Sequence, residues 1–180
     1  FPGQGAIQVA ASPSLAMPAG TPFTLSAWVK ADQLAGEQAI FARGPLTIGI
    51  NSGVPFVSLA GASTQAKTPI SQGQWSHLAV VADGQTLKIF VNGVESGAAT
   101  VALPALDGPL SIGGAEGKPF TGELDEVRLS KTARPAAMLM VMANSEGPSN
   151  TALTVAETAE KQAHGSGVIP FIISKLEPLD

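Results

Sequence analysis

The chain has 180 residues, 44% of them hydrophobic, which is enough for one domain with a core and a short appendage. A net charge of −4, with only 10 Lys and Arg residues scattered along the chain, excludes nucleic-acid binding through a basic stripe. The absence of cysteine excludes disulfides and thiolate metal sites, and no apolar run reaches the ~18 residues that span a bilayer.

Residues 6–130 predict short strands separated by turns rich in Gly, Pro and Asn. The clearest early strand is FTLSAWVKA, residues 23–31, whose side chains alternate between two faces. We expect one face to carry Phe23, Leu25, Ala27 and Val29, and the other to carry Thr24, Ser26, Trp28 and Lys30.

Two later segments, QWSHLAVVAD (residues 74–83) and QTLKIFVNG (residues 85–93), predict a pair of strands. Asn92-Gly93 predicts a type I′ turn after the second of them. GELDEVRLS, residues 122–130, predicts the last strand. About ten short strands at regular spacing indicate an all-β fold, an antiparallel sandwich of two sheets.

After residue 130 the pattern favours helix. Pro135 suits a first helical turn, and Ala and Met residues follow it. A second helix is predicted over residues 152–163, and the apolar run VIPFII occupies residues 168–173. We therefore expect a sandwich over residues 1–144 and a helical or linker tail over residues 145–180.

Four stretches occur in an order and spacing typical of one fold: TPFTLSAWVKA, GQWSHLAVVADG, LKIFVNG and GELDEVRLSKTARP. Over residues 1–144 the chain resembles the laminin-G-like branch of the concanavalin A-like lectin/glucanase superfamily. The resemblance implies a jelly-roll sandwich with one concave sheet. Proteins of this fold bind sugars, bind proteins, cleave polysaccharides or serve as spacers, so the fold alone does not decide the function.

The tail, AETAEKQAHGSGVIPFIISKLEPLD, is similar to the extracytoplasmic region of MotA/TolQ/ExbB proton-channel family proteins, where it leads into a transmembrane helix. The chain begins FPGQG, without Met or a signal-peptide pattern, so we expect a piece of a longer protein. The resemblance implies the periplasm or the extracellular face of a bacterial membrane, with attachment through a segment after residue 180. The implied partners are a periplasmic protein, a cell-wall glycan or further copies of the chain.

The acidic strand GELDEVRLS raises the question of catalysis. Glucanases of the resembled fold carry Glu-x-Asp-x-x-Glu, and Glu123 and Asp125 match its first two positions. The third position holds Arg128, although a retaining mechanism needs two carboxyl groups in different roles. We therefore predict that the chain is not an enzyme.

A metal site is the second hypothesis for this strand. Alternation predicts that Asp125 shares the face of Val127 and Leu129, where an uncompensated carboxylate is costly. In many relatives the matching Asp binds calcium together with carbonyls near the first strand, which correspond here to Gly3 and Gln4. The resemblance thus implies a structural calcium ion, although Pro2 departs from the family pattern. The alternative is an Asp125 held by backbone N–H groups or by an arginine.

A ligand site is predicted at Trp28, because Ser26 and Lys30 share its face and an indole beside polar groups can stack on a sugar. The alternative for Trp28 is packing, as in the family. Packing is also our prediction for Trp75 and His77, and a solvated position for His164. With no Tyr and two Trp, the chain has few rings to spare for a glycan site.

The combined prediction is a non-catalytic binding or assembly module, the periplasmic domain of a membrane protein similar to the proton-channel family. The alternative is a lectin-type carbohydrate-binding module. A glycan-cleaving enzyme is the third and least supported hypothesis, because of Arg128.

Overall fold

The computed structural model describes residues 1–115 and 117–147. Its elements, in chain order, are β1 Ile7–Val9, β2 Phe23–Ala31, β3 Glu37–Arg43, β4 Leu46–Asn51, β5 Val54–Leu59, β6 Ala62–Gln65, β7 Trp75–Ala82, β8 Thr86–Val91, β9 Val94–Thr100, β10 Leu110–Ile112, β11 Gly114–Ala115, β12 Lys118–Pro119, β13 Gly122–Ser130 and α1 Ala136–Ser145. A six-stranded sheet, β1-β10-β3-β4-β5-β6, packs on a five-stranded sheet, β13-β2-β7-β8-β9. All strand pairs in the two sheets are antiparallel, which confirms the predicted jelly-roll sandwich.

The core lies between the two sheets, and the alternation predicted for β2 is confirmed there. One face of β2 is at most 3% exposed at each of its four apolar positions: Phe23, Leu25, Ala27 and Val29. The opposite sheet contributes Ile48, Ile50, Val57 and Leu59 to the same cluster. Burying one such side chain contributes about 1.5–3 kcal/mol, so this layer is the main source of stability.

The turn after β8 also forms as predicted. Asn92 and Gly93 both have positive φ, 51° and 79°, as a type I′ turn requires. At the preceding turn the Asp83 carboxylate accepts the backbone N–H groups of Gln85 and Thr86. These hydrogen bonds lower the pKa of Asp83 to about 2.

Helix α1 follows Pro135, as predicted from the sequence, and lies on the outer face of the five-stranded sheet. Leu139 is fully buried there against Ala79, Val81 and Phe90. The predicted boundary at residue 144 falls in the last turn of α1. The predicted helix over residues 152–163 and the apolar run 168–173 lie outside the described residues.

Over the described part of the chain, no helix has both the length and the apolar character to cross a membrane.

The acidic strand β13 contains a bulge that changes the predicted orientation of its side chains. Asp125 pairs with Trp28 and Arg128 pairs with Ser26, so two residues of β13 face one position of β2. Glu126 takes up the extra length with a φ of 49°. Asp125 therefore lies on the outer face with Trp28, whereas Val127 packs against the core. The prediction that they share an apolar face is wrong, because a bulge interrupts the alternation.

The bulge predicts that a glycine substitution changes the free energy of unfolding differently at two acidic positions of β13. Glu126→Gly relieves a left-handed conformation that costs other residues about 1 kcal/mol, so the free energy of unfolding should stay constant or rise. Glu123→Gly, in the regular part of the strand, should lower it by about 1 kcal/mol. Urea denaturation of both variants measures the difference, and an equal loss in the two would contradict the bulge.

Candidate functional site

The outer face of the six-stranded sheet is open and polar. Strand register aligns one residue from each strand in a row across it: Gln8, Ser111, Ala42, Thr47, Ser58 and Ser63. None of the six is buried, and none is charged. We call this surface the open face, and it can offer hydroxyl and amide groups to a ligand that lies across the strands.

A groove of about 550 Å³ occupies one end of the open face, where β1 and β10 meet the β11–β12 hairpin. Gln8 Nε2 donates to Ser111 Oγ at 2.9 Å, and that hydroxyl donates to the carbonyl of Gly114 at 2.6 Å. Glycines line much of the remaining wall, including Gly3 and Gly5. Backbone polar groups and neutral side chains therefore form most of the wall of this groove, to which Arg43 adds one charged side chain.

A second groove of about 330 Å³ lies at the opposite end, over β4, β5 and β6. Its aromatic wall is Phe56, half-buried and lying over Gly49, where an added Cβ would be 3.0 Å from the ring. Polar side chains surround the ring: Glu37, Asn51, Ser63, Thr64 and Gln65. An aromatic face ringed by hydrogen-bonding groups is suited to a sugar.

The three predicted ligand residues lie on the other outer face, that of the five-stranded sheet. Trp28 is 7% exposed and Ser26 is 4% exposed, because α1 and the residues after it cover this part of β2. A Cβ at Gly147 would come within 2.6 Å of Trp28 Cη2, so the backbone of Gly147 rests on the indole. A sugar can reach Trp28 only if this cover moves.

Lys30, the third predicted ligand residue, lies beyond the cover. Its Nζ is 2.7 Å from Glu123 Oε1 and 5.9 Å from the centroid of the Trp75 ring. The hydrogen bond to Glu123, helped by the charge of that carboxylate, raises the pKa of Lys30. Trp75 is half-buried here, on the outer face, so only part of its predicted packing role is seen.

His77 lies beside Trp28 under the cover, with ring centroids 5.5 Å apart in an edge-to-face arrangement. It is 1% exposed. Burial lowers the pKa of His77 and the charge of Arg128 acts in the same direction, while the charge of Glu146 opposes them. Trp28 Nε1 and His77 Nδ1 are both buried, and neither has a hydrogen-bond partner among residues 1–115 and 117–147.

The carboxylates of β13 are already engaged in ion pairs and hydrogen bonds. Glu123 pairs with Lys30, and Glu126 with Arg128 at 2.6 Å. Arg128 also binds both carboxylate oxygens of Glu146, at 2.8 and 2.6 Å, and this partner raises the pKa of the guanidinium. The groove beside this strand, about 550 Å³, is lined from Val127 onward and not by Glu123 or Asp125.

Gly3 and Asp125, two of the three predicted metal ligands, contact different parts of the chain. Gly3 N–H donates to the Phe120 carbonyl. Asp125 lies four residues beyond Thr121, the residue after Phe120, which corresponds to about 13 Å at ~3.3 Å per residue. Asp125 Oδ1 instead accepts the N–H of Glu126 at 2.8 Å, which is the backbone-held alternative. Across residues 1–115 and 117–147, no three His, Asp or Glu side chains are placed to hold a metal. Calcium binding stays a prediction from the resemblance.

Two features of the outer faces were missed by the sequence predictions. Phe56 looks like an ordinary strand residue in PFVSLA. The row of residues across the open face can be recognised only when the register of all six strands is known. Trp28 and Trp75 are diagonal neighbours, since Trp28 pairs with His77 and Lys30 with Trp75. The sequence analysis placed Trp28 on the face opposite Phe23 and Leu25, but it predicted packing for Trp75 and did not relate the two residues.

The buried His77 predicts an acid-sensitive stability. Its folded pKa lies below the ordinary value of 6.5, so the unfolded chain binds its proton first as the pH falls. The contribution of neutral His77 is complete above pH 6.5 and is lost as the pH falls through the folded value. His77→Gln should therefore show a smaller drop in unfolding free energy between about pH 7.5 and 5.5.

Urea denaturation across this pH range gives the two slopes. His164 is present in both proteins, so its titration cancels in the comparison. Equal slopes would show that His77 titrates in the folded protein as it does in the unfolded chain.

Solved structures share this fold at low sequence identity. A candidate carbohydrate-binding protein from Bacteroides ovatus matches with a TM-score of 0.65 at 19% identity, covering 79% of this chain and 46% of that one. This chain therefore spans about half the length of the Bacteroides protein. No curated protein matches the sequence.

Two further structures are similar. A heptameric SAP-like pentraxin from Limulus polyphemus matches with a TM-score of 0.63 at 17% identity, covering 83% of this chain and 82% of that one. Domain 4 of an extracellular arabinanase from Geobacillus stearothermophilus, solved with arabinotriose, matches with a TM-score of 0.59 at 23% identity, covering 79% and 74%. At these identities the likeness establishes the fold alone.

The family model for this fold ends at residue 139, so the likeness of the tail to the MotA/TolQ/ExbB proton-channel family stays a prediction. The two sheets, the order of the motifs and the match of residues 2–139 agree with one another: the chain belongs to the concanavalin A-like lectin/glucanases superfamily.

Proposed function

We propose that the chain is a non-catalytic binding module that holds a neutral, hydroxyl-rich glycan on its open face. The observation that carries this proposal is the row of six uncharged residues, five of them polar, across six strands, with a groove at each end. The names of two similar structures, a candidate carbohydrate-binding protein and an arabinanase domain with arabinotriose, agree with this class of ligand.

The chemistry of the two grooves supports a neutral ligand. Charged groups at their walls already have partners: Glu37 Oε1 is 2.7 Å from Lys118 Nζ. Arg43 is 3% exposed and donates to the carbonyls of Leu15 and Gly108. Neutral amides and hydroxyls are left to exchange hydrogen bonds with a sugar, and Phe56 offers its ring face. Both volumes fall in the usual range for small-ligand sites, about 300–1,000 Å³.

The non-catalytic part of the proposal rests on β13. A retaining glycosidase needs a nucleophile and a proton donor about 5–5.5 Å apart in different environments. Here Glu123 is ion-paired with Lys30, Asp125 accepts the Glu126 N–H, and Arg128 stands at the third position of the motif. Neither acidic residue lines the adjacent groove.

The setting outside the cytoplasm, at the periplasmic or extracellular face of a bacterial membrane, is part of the same proposal. It is supported by the sequence of residues 156–180, with attachment through a segment after residue 180. Protease treatment of intact spheroplasts carrying the full-length protein tests this location. Protection of the module from external protease would overturn it.

Three substitutions test the open face by calorimetric titration with oligosaccharides, among them arabinotriose and soluble peptidoglycan fragments. Ser58→Lys places a long cation in the middle of the row and should abolish binding. Phe56→Leu keeps an apolar side chain but removes the aromatic face, and should weaken binding by about tenfold. Ser71→Lys, in an exposed loop, adds the same charge elsewhere and should bind like the unmodified chain.

The outcomes separate the hypotheses. Binding that survives Ser58→Lys would move the ligand off the open face. No binding across the panel would overturn the glycan, and a mass that rises with protein concentration would then favour assembly of the chain with its own copies. Release of reducing sugar that is lost in Glu123→Gln would overturn the non-catalytic assignment.

A further inference from the structure

The two tryptophans of the chain lie together on the outer face of the five-stranded sheet. Residues at these diagonal positions of neighbouring strands are about 7–8 Å apart. The Trp75 end is half-exposed, with Lys30 above it, and the Trp28 end is covered. We call these two side chains the indole pair.

The cover is residues 136–147, which comprise α1, Glu146 and Gly147, and we call it the strap. We propose that the indole pair is a second binding platform, for the face of a sugar ring, and that the strap closes it. Indole faces are apolar surfaces on which sugar rings stack, the strand register places the two tryptophans diagonally across neighbouring strands, and Lys30 and Glu123 lie at the open end, where they can bind hydroxyl groups.

The covered surface keeps unused hydrogen-bonding groups. Trp28 Nε1 and His77 Nδ1 are buried and find no partner in the part of the chain that the structure describes, a rare state for polar atoms in a folded protein. The strap supplies apolar contact at this point but leaves both nitrogens unpaired. When the strap lifts, water or a sugar hydroxyl can form hydrogen bonds with both nitrogens. Opening therefore recovers hydrogen bonds that the closed state lacks.

The strap is attached by few interactions. Its helix has no side-chain N-cap bond, no acidic residue in the first turn and no basic residue in the last. Only Leu139 and Ala143 of the helix are buried. Its far end is held by the Arg128–Glu146 ion pair, in which both side chains are partly exposed, and such pairs contribute little. Few interactions therefore have to break for the strap to open.

Gly147 supplies a selective way to open the strap. Its backbone touches Trp28, and a Cβ there would lie 2.6 Å from Cη2 and 2.9 Å from Cζ2 of the ring. Gly147→Ala adds one methyl group at this contact and removes no interaction. Ser145→Ala is the matched control, because it changes the same strap without adding an atom over the indole.

The first measurement is acrylamide quenching in a Trp75→Phe background, in which Trp28 is the single tryptophan. Gly147→Ala should give a severalfold rise in the quenching constant, and Ser145→Ala should leave it unchanged. A constant that does not respond to Gly147→Ala would show that the strap does not cover Trp28, and the proposal would fall.

The second measurement is binding of the same oligosaccharide panel in a Ser58→Lys background, in which the open face should no longer bind a glycan. Gly147→Ala should bind at least one member about tenfold more tightly than its Ser145→Ala control, since a larger fraction of molecules is open. Trp75→Ala should remove that binding. Equal binding by the two strap variants, or none, would overturn the platform and leave the open-face proposal standing on its own test.

Discussion

The contact between α1 and the five-stranded sheet decides which surfaces of the sandwich are available. Ala79, Val81 and Phe90 form an apolar patch on the outer side of this sheet, and Leu139 covers it with a fully buried side chain. Once the helix lies there, the residues that follow it lie over Trp28, and Gly147 contacts the indole ring. The packing of one leucine thus closes the face on which the tryptophans lie.

Among residues 1–115 and 117–147, the opposite sheet shows no such buried apolar patch on its outside, and none of the six residues of its polar row is buried. Ser58, Thr47 and Ser111 cannot bury an apolar helix, but they can exchange hydrogen bonds with a hydroxylated ligand. The two faces therefore differ in the kind of contact they offer: distributed polar groups on one, a compact aromatic area on the other. In a module built this way, the polar face can be accessible at all times, whereas the aromatic area can be accessible only when residues 136–147 move away.

Much of the fold follows from local pattern. Alternation in FTLSAWVKA predicts both faces of β2, Asn92-Gly93 predicts the turn after β8, and Pro135 predicts the start of α1. These features depend on the residues themselves and their immediate neighbours. The orientation of Asp125 does not, because a bulge shifts it by one position and strand composition does not reveal where the extra residue lies. The cover over Trp28 and the row across six strands depend on pairings between distant parts of the chain.

The bulge in β13 has a consequence for how molecules of this protein meet. β13 is the outermost strand of its sheet, so its free side is where a strand from another molecule could add. Glu126 turns the backbone out of regular geometry at the middle of that edge, and Glu123, Asp125 and Arg128 place charges on either side of it. An irregular, charged edge is a poor template for edge-to-edge association. The acidic stretch that resembles a catalytic motif is thus what makes this edge of the sheet irregular and charged.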